Sequence, residues 1–202
     1  MIRRAAPSLL LLAALAAGCG SSKHVASSTQ APTTTASAPT QGAAALQAEA
    51  QSVATGDIPD NQAFVVFDDR AAGYMIKYPE GWAQSGGGKL VVIRDKNNII
   101  RAVVRPGALP TTAAVNRELA ALPGVHVESR LGARTLPSGP AVKVVYSTQS
   151  APNAVTGKRV TLVVDRYYVA HNGKLAIVDL GTPQGVDNVD AYRLMIESFR
   201  WR

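Results

Sequence analysis

The stretch Tyr74-Met75-Ile76-Lys77-Tyr78-Pro79-Glu80-Gly81-Trp82 decides the fold of this chain. Its first five residues favour a β-strand, and Pro79-Glu80-Gly81 then turns the chain. Runs of the same character lie on either side of it, at Phe64–Phe67, Leu90–Ile93 and Ile99–Val104. Turn signals separate them, namely Gly86-Gly87-Gly88 and Asp95-Lys96-Asn97-Asn98. The first half of the domain therefore predicts short antiparallel strands joined as hairpins.

Strand-like runs continue in the second half of the domain. They are Val125–Leu136, Ala141–Thr148, Arg159–Ala170 and Lys174–Leu180. Pro137-Ser138-Gly139-Pro140 separates the first two runs, and His171-Asn172-Gly173 joins the last two. Because Asn-Gly is a strong signal for a tight turn, the last two runs are predicted to pair as a hairpin.

Two helices are predicted among these strands. The first is capped by Thr111 or Thr112 and runs to about Leu122, with Val115, Leu119 and Leu122 on one face, before Pro123-Gly124 stops it. The second runs from about Val186 to Phe199, with Tyr192, Met195, Ile196 and Phe199 facing inward and Asp187 near its start. The predicted fold class is α+β, a central antiparallel β-sheet with helices packed on it.

The order of these elements resembles the PsbP-like domain. The strand that ends in Tyr78-Pro79-Glu80-Gly81-Trp82 is similar to the Tyr-Pro-x-x-Trp corner of that family. The close is similar too, with a Tyr-rich strand, Asn-Gly, a strand to Gly181-Thr182-Pro183 and a helix ending on Ser198-Phe199-Arg200. The resemblance covers roughly residues 63–202 and implies a lipoprotein carrying a PsbP-like module. Family members assist the oxygen-evolving photosystem, and a eukaryotic relative in fold binds a nuclear-transport GTPase, which implies a docking scaffold.

The first 18 residues have the three parts of an export signal. Arg3 and Arg4 are basic, Leu9 to Ala17 is apolar, and small residues precede Cys19. The apolar run is far shorter than the roughly 20 residues that span a bilayer. Leu15-Ala16-Ala17-Gly18-Cys19 resembles the bacterial lipobox, with Ala16 where Leu is commoner. The resemblance implies cleavage between Gly18 and Cys19 and lipid on the Cys19 thiol; a plain secretory signal is the alternative.

Cysteine usage agrees with this interpretation. Cys19 is the only cysteine, so the chain has no intramolecular disulfide and no cysteine-based metal site. Residues 20–41 are rich in Ser, Thr, Ala, Pro and Gln, a composition typical of a flexible tether. Residues 43–54 contain strong helix formers and predict a short helix. The predicted organisation is signal peptide 1–18, lipidated Cys19 and tether 19–60, and PsbP-like domain 61–202.

The domain from Asn61 onward is basic, with 18 Lys and Arg against 11 Asp and Glu, a net charge of +7. Such a charge is attracted to anionic lipid or to an envelope polyanion, and a scattered basic surface is the simpler interpretation. Export and the lack of clustered cations argue against nucleic acid. Arg101, Arg105, Lys143 and Arg166 alternate with apolar residues and are predicted to face solvent.

Motifs for catalysis or metal binding are lacking in the sequence. His126 and His171 are the histidines of the domain, both interpreted as surface residues, and no Gly-x-Ser-x-Gly elbow occurs. The acidic pairs Asp68-Asp69 and Asp187/Asp190 are better explained as a turn flank and a helix cap than as metal ligands. Neither a catalytic residue, a metal site nor a cofactor is therefore predicted.

Three functions remain open at this point. The first is a non-enzymatic binding or assembly module, lipid-anchored on the extracytoplasmic face of the cell membrane, that binds an envelope protein. The second is a carrier of a small hydrophobic ligand or lipid in the envelope. The third is an enzyme, for which a cleft gathering Asp165, Asp179 and His171 would be the sign. The aromatic residues are explained mostly by packing, although they would also suit a stacking face: Tyr74, Tyr78, Trp82, Tyr146, Tyr167, Tyr168 and Trp201.

Overall fold

The computed structural model describes residues 42, 45–48, 51, 55–153 and 155–202. The predicted signal peptide, Gly18, Cys19 and residues 20–41 of the tether lie outside the described residues. The described positions between residues 42 and 55 are helical and exposed, in agreement with the helix predicted there.

Two antiparallel sheets form the described domain. Eight of its strands make the larger sheet: β3 (Ala83–Gly87), β4 (Leu90–Asp95), β5 (Asn98–Pro106), β6 (His126–Val127), β7 (Gly132–Leu136), β8 (Gly139–Gln149), β9 (Thr161–His171) and β10 (Lys174–Pro183). Their order is β3-β4-β5-β10-β9-β8-β6, and β7 also pairs with β8. The smaller sheet has the order β1-β2-β11, from β1 (Phe64–Asp69), β2 (Tyr74–Pro79) and β11 (Arg200–Trp201).

After the helical positions near residues 42–55, the described chain also forms helices α1 (Thr112–Ala120) and α2 (Val189–Ser198). The α+β class and the central antiparallel sheet predicted from the sequence are therefore confirmed. Among the described residues, no helix is both long and apolar enough to cross a membrane.

The central strands of the larger sheet are buried on both faces, and side chains that alternate along each strand enter two separate cores. On β9, Tyr167 and Val169 point into a first core, and Tyr168 and Val164 into a second. The first core also contains β2 and α2 side chains, including Tyr74, Ile76, Tyr192, Met195, Ile196 and Phe199. The second core contains Val115 and Leu119 of α1 with Val144, Tyr146, Leu162, Leu175 and Ile177. The two helices thus cover opposite faces of the same sheet.

Helix α1 begins where the sequence predicts it. Thr111 is its N-cap, and the Thr111 hydroxyl accepts a hydrogen bond from the Ala114 amide at 3.3 Å. Val115 and Leu119 are buried, as predicted. The prediction for Leu122 is wrong, because the helix ends at Ala120 and the Leu122 side chain stays 38% exposed. Helix α2 begins at Val189, three residues after the predicted start, and its predicted inward-facing residues are all buried.

The hairpin at Asn172-Gly173 is confirmed. His171 pairs with Lys174, so Asn172 and Gly173 alone form the turn. Their φ values are both positive, 47° for Asn172 and 74° for Gly173. These are the angles of the two-residue turn that matches strand twist. The turn fixes the register of β9 and β10, which places Asp179 opposite Arg166.

The prediction of a plain turn at Gly86-Gly87-Gly88 is wrong. Gly86 and Gly87 belong to β3, which pairs with β4, and the chain turns at Gly88 and Lys89. Gly86 has a φ of +79°, and a Cβ on it would lie 2.5 Å from the Leu90 carbonyl oxygen. Glycine is needed at this position because the two strands approach each other too closely for a side chain.

The run Val125–Leu136 was predicted as one strand and is two. The amides of Glu128 and Ser129 both donate to the Val145 carbonyl, which interrupts the pairing between β6 and β7. The Ser129 hydroxyl accepts from the Val145 amide at 3.0 Å and closes this bulge. Strand β11 was also missed, because a two-residue strand has no periodicity to detect.

A buried polar cluster fixes the start of the domain. Asn188, 3% exposed, donates through Nδ2 to Thr182 Oγ1 at 2.8 Å and to the Gly56 carbonyl at 3.1 Å. Its Oδ1 accepts from the Ile58 amide at 2.8 Å, and Asn98 donates to the same Gly56 carbonyl at 2.6 Å. Gly56 and Ile58 are thus hydrogen-bonded to side chains of the folded domain.

Candidate functional site

A cleft of about 510 Å³ opens on the α1 face of the larger sheet. Its walls are the β4–β5 turn, Leu122 beyond the end of α1, and the facing ends of β8 and β9. Its floor contains the polar side chains of Arg166, Asp179 and Tyr146, among the apolar side chains of Leu162 and Val164. The cleft therefore combines a charged floor with both apolar and polar side chains around it.

The floor is built on a row of cross-strand pairs. Arg101 on β5 lies directly opposite Asp179 on β10, and Asp179 lies directly opposite Arg166 on β9. Residues that face each other in this way have side chains on the same side of the sheet. The register alone thus places one carboxylate between two guanidinium groups.

Arg166 is bound from several sides. Its Nε donates to Asp179 Oδ1 at 2.6 Å and its Nη2 to Asp179 Oδ2 at 2.9 Å. Its Nη1 donates to Glu118 Oε1 on α1 at 2.8 Å, and its Nη2 also donates to the Tyr146 hydroxyl at 3.2 Å. The bonds to Asp179 raise the pKa of the guanidinium against the effect of burial, so Arg166 stays charged.

The prediction that Arg166 faces solvent is wrong, since its side chain is only 4% exposed. Its neighbours on the same face of β9 are Val164 and Tyr168, both buried in the second core. A charge in this position requires partners, which Asp179 and Glu118 supply from another strand and from a helix. A sequence signal existed, because Asp179 is also a charge inside an apolar run, but the sequence does not show that the two residues pair.

Arg101 and Arg105 lie on the same face of β5, four residues apart, and differ in what they border. Arg101 Nη1 donates to Asp179 Oδ2 at 3.2 Å, and its half-exposed side chain lines the cleft. Arg105 Nη2 contacts Glu118 Oε2 at 3.5 Å and does not belong to the cleft lining. The prediction that these two arginines face solvent holds in part, because their side chains are 39% and 51% exposed.

Tyr146 on β8 presents a proton donor to the cleft. Its hydroxyl oxygen accepts the hydrogen bond from Arg166, which leaves the hydroxyl proton available to another acceptor. Burial first, and the charge of Asp179 second, raise its pKa to about 12. The guanidinium of Arg166 also lies 5.1 Å from the centre of the tyrosine ring. The group is therefore protonated and held in place at neutral pH.

The arrangement that would have signalled an enzyme is not formed by its three predicted residues. Asp165 lies on the other face of β9 from Arg166, where its carboxylate pairs with Lys143 at 2.6 Å. His171 is exposed at the end of β9, away from the buried Asp179. His126 does lie opposite Ser147, but the Ser147 hydroxyl donates to Glu128 Oε1 at 2.6 Å. The nucleophile–base contact needed for acyl transfer is not made there.

The predicted acidic pairs have structural partners. Asp69 accepts hydrogen bonds from the Ala72 and Gly88 amides, and Asp68 pairs with Arg202 at 2.7 Å. Asp187 accepts from the first amide of α2, and Asp190 pairs with Arg193 one turn later. Within the described residues, no group of three or more His, Cys, Asp or Glu side chains is placed to hold a metal ion.

The aromatic residues are divided between the two cores and form no common stacking face. Tyr74 stacks on Phe199 with 5.5 Å between ring centres, and Phe199 meets Trp201 edge-on at 5.3 Å, all in the first core. Tyr146 and Tyr168 belong to the second core. Packing accounts for these residues, and only Tyr146 among them lines the cleft.

Comparison with known proteins gives distant likenesses. No family model matches the chain, and no curated protein matches it significantly. Among solved structures, cyanobacterial PsbP from Synechocystis is similar over 73% of this chain and 98% of its own, with 16% identity and a TM-score of 0.45. The Ran-binding protein Mog1p of Saccharomyces cerevisiae is similar over 70% of this chain and 96% of its own, with 9% identity and a TM-score of 0.44.

A third similar structure is LpqN, described as involved in cell envelope biogenesis of Mycobacterium tuberculosis. It covers 70% of this chain and 85% of its own, with 17% identity and a TM-score of 0.38. PsbP, to whose family the sequence bears a resemblance, is thus among the similar folds.

Proposed function

We propose that this chain is a lipoprotein, held on the extracytoplasmic face of the cell membrane through Cys19, whose folded domain is a non-enzymatic binding module. The lipobox-like run before Cys19 and the Ser/Thr/Ala/Pro-rich segment after it support the anchor and the tether. Two or more acyl chains on one cysteine are enough for stable anchoring. In this proposal the tether lets the domain meet its ligand beyond the membrane surface.

The single observation that carries the binding role is the cleft over the second core. Its volume of about 510 Å³ lies within the range of small-molecule sites. Such sites combine apolar side chains with polar groups held in fixed positions, and this cleft contains both. Between the two partners predicted from the sequence, an envelope protein and a small ligand, a concave site of this size favours the small ligand.

The non-enzymatic part of the proposal rests on what the polar groups of the cleft already do. The donors of Arg166 are directed at Asp179, Glu118 and Tyr146, so this guanidinium is committed to holding the floor. The Asp179 carboxylate is likewise held by Arg166 and Arg101. Both carboxylate oxygens are therefore engaged in the floor of the cleft, and recognition is the role that suits such a group.

Native mass spectrometry of protein isolated from its own envelope tests the binding role. We expect the wild type to carry bound mass and Thr148→Trp to lose it, because Thr148 lines the cleft from a half-buried position on β8. Gln84→Trp is the matched control, since Gln84 is exposed on β3 and is not part of the cleft lining. Equal bound mass in all three proteins, or none in the wild type, would refute the proposal for the cleft.

Metabolic labelling with palmitate tests the anchor separately. The wild type should carry label and fractionate with membranes, and Cys19→Ser should do neither, because no other cysteine is present to be modified. Label retained by Cys19→Ser would contradict the anchor and leave the cleft experiment unaffected.

A further inference from the structure

The cleft is strongly positive for its size. Its described lining residues include the cations Arg94, Lys96, Arg101 and Arg166 and the single carboxylate of Asp179, a formal charge of +3. Arg94 and Lys96 are exposed at the rim, and Arg166 is buried in the floor. Charges of one sign gathered around a cleft raise the local concentration of counter-ions. A ligand that enters this cleft therefore gains most if it is anionic.

Two donors on the cleft floor are available to such a ligand. Arg101 makes one hydrogen bond within the described structure, to Asp179, and a guanidinium has five N–H donors. The Tyr146 hydroxyl accepts from Arg166 and retains its own proton. Asp179 and Arg166 link these two groups directly, so both lie over the same part of the sheet. A guanidinium beside a hydroxyl donor is suited to two oxygens of one carboxylate or phosphate.

Uncharged polar side chains, among them Asn97, Thr148 and Gln149, share the rest of the lining with a group of apolar ones. Leu122, Leu162, Val164 and Ile99 contribute side chains around the charged floor. Leu122 is 38% exposed although it is a large apolar residue beside a well-packed core. An inorganic anion would leave these side chains in water, whereas an anion that carries an apolar chain would cover them.

We propose that the cleft binds an organic anion with an apolar tail, a carboxylate or a phosphate monoester, whose head lies between Arg101 and Tyr146. This inference rests on the proposed function and adds the chemical class of the ligand to it. Arg166 is a positioning residue in this site, because four of its five N–H donors hold Asp179, Glu118 and Tyr146.

Calorimetric titration of the full chain carrying Cys19→Ser tests the ligand class. The probes are decanoate and decyl phosphate, with decanol as the same chain without charge, and acetate and inorganic phosphate as the same heads without the chain. We expect both charged chains to bind at least about tenfold more tightly than decanol or the free anions. A preference between decanoate and decyl phosphate identifies the head as carboxylate or phosphate.

Two arginine variants provide the matched comparison. Arg101→Gln should weaken binding of the charged chains about tenfold and leave decanol unchanged, because it removes a charged donor. Arg105→Gln should change neither, since Arg105 has the same ion-paired, half-exposed setting outside the cleft. Equal losses in the two variants would overturn recognition by Arg101 and indicate a general effect of surface charge.

The outcomes separate the two proposals. If decanol binds as tightly as decanoate and Thr148→Trp abolishes both, the cleft is a binding site and the anionic class is wrong. Tight binding of acetate or phosphate alone would overturn the need for a tail. If no probe binds and the envelope-isolated protein carries no mass, the proposed function fails as well.

Discussion

Replacement of Arg166 by methionine is the sharpest test of how the second core is held. The variant keeps most of the side-chain volume and deletes four hydrogen bonds, two to Asp179, one to Glu118 and one to Tyr146. Asp179, 5% exposed, then keeps Arg101 as its remaining described partner, at 3.2 Å. Breaking a buried ion pair from one side costs about 3–5 kcal/mol, out of a total of about 5–15 kcal/mol for a typical domain.

We therefore expect Arg166→Met to lower the free energy of unfolding by about 4 kcal/mol in urea titrations followed by tryptophan fluorescence. Arg105→Met is the control, because its 3.5 Å contact with Glu118 is half exposed and worth about 0–1 kcal/mol. Adding Asp179→Leu to Arg166→Met should recover much of the loss, since no buried charge is then left unpaired. A loss within about 1 kcal/mol of the Arg105→Met value would refute this reasoning.

Two further predictions concern the turn at β3 and the tyrosines of the second core. Gly86→Ala should destabilise the domain by about 2–3 kcal/mol in the same urea titration, because of its positive φ and its close strand neighbour. Gly87→Ala should stay within about 0.5 kcal/mol of the wild type, since a Cβ there meets no described atom within 4 Å; equal losses would contradict the steric explanation. Burial raises the pKa of Tyr146 and Tyr168 to about 12, against about 10 in the unfolded chain. Between about pH 10 and about pH 12 the unfolded chain loses these protons first, so stability should be complete below pH 10 and fall through this window. Tyr168→Phe should make the fall shallower, and an unchanged slope would count against the role of this tyrosine.

Much of the fold follows from local sequence signals, because those signals act over a few residues. Asn172-Gly173 can adopt the two positive φ angles of a tight hairpin, and Thr111 offers the hydroxyl that caps α1. The inward face of α2 follows from helical spacing of its apolar residues. Each of these features needs no knowledge of what the element packs against.

The features that were missed depend on contacts between distant residues. Three glycines in a row indicate a turn, and only the approach of β4 makes Gly86 part of a strand. The bulge that divides Val125–Leu136 is made by Val145, well along the chain in β8. The sequence of a short strand does not specify which strand it pairs with or in what register, so bulges and close strand contacts become visible only in the assembled sheet.

The candidate site shows the same division. Because side chains alternate along β9, the sequence places Arg166 on one face of the strand, but it does not show which face is buried. The sequence favours the solvent side because an arginine is rarely buried without a partner. The partner is Asp179, brought opposite by a two-residue hairpin, with Glu118 added from α1. The pairing of β5, β9 and β10 and the position of α1 together bring these charged side chains into one floor of the cleft.

One carboxylate connects the stability of this domain with its proposed binding role. Asp179 lies between two arginines that differ in depth, Arg166 at 4% side-chain exposure and Arg101 at 39%. Arg166 neutralises Asp179 and links the sheet to α1 through Glu118. The positive charge of Arg101 is therefore in excess of the negative charge in the floor. A carboxylate that would otherwise repel an anion thus serves to hold Arg101 over the cleft. Loss of Arg166 should therefore destabilise the domain strongly, whereas loss of Arg101 should leave its stability nearly unchanged and weaken binding.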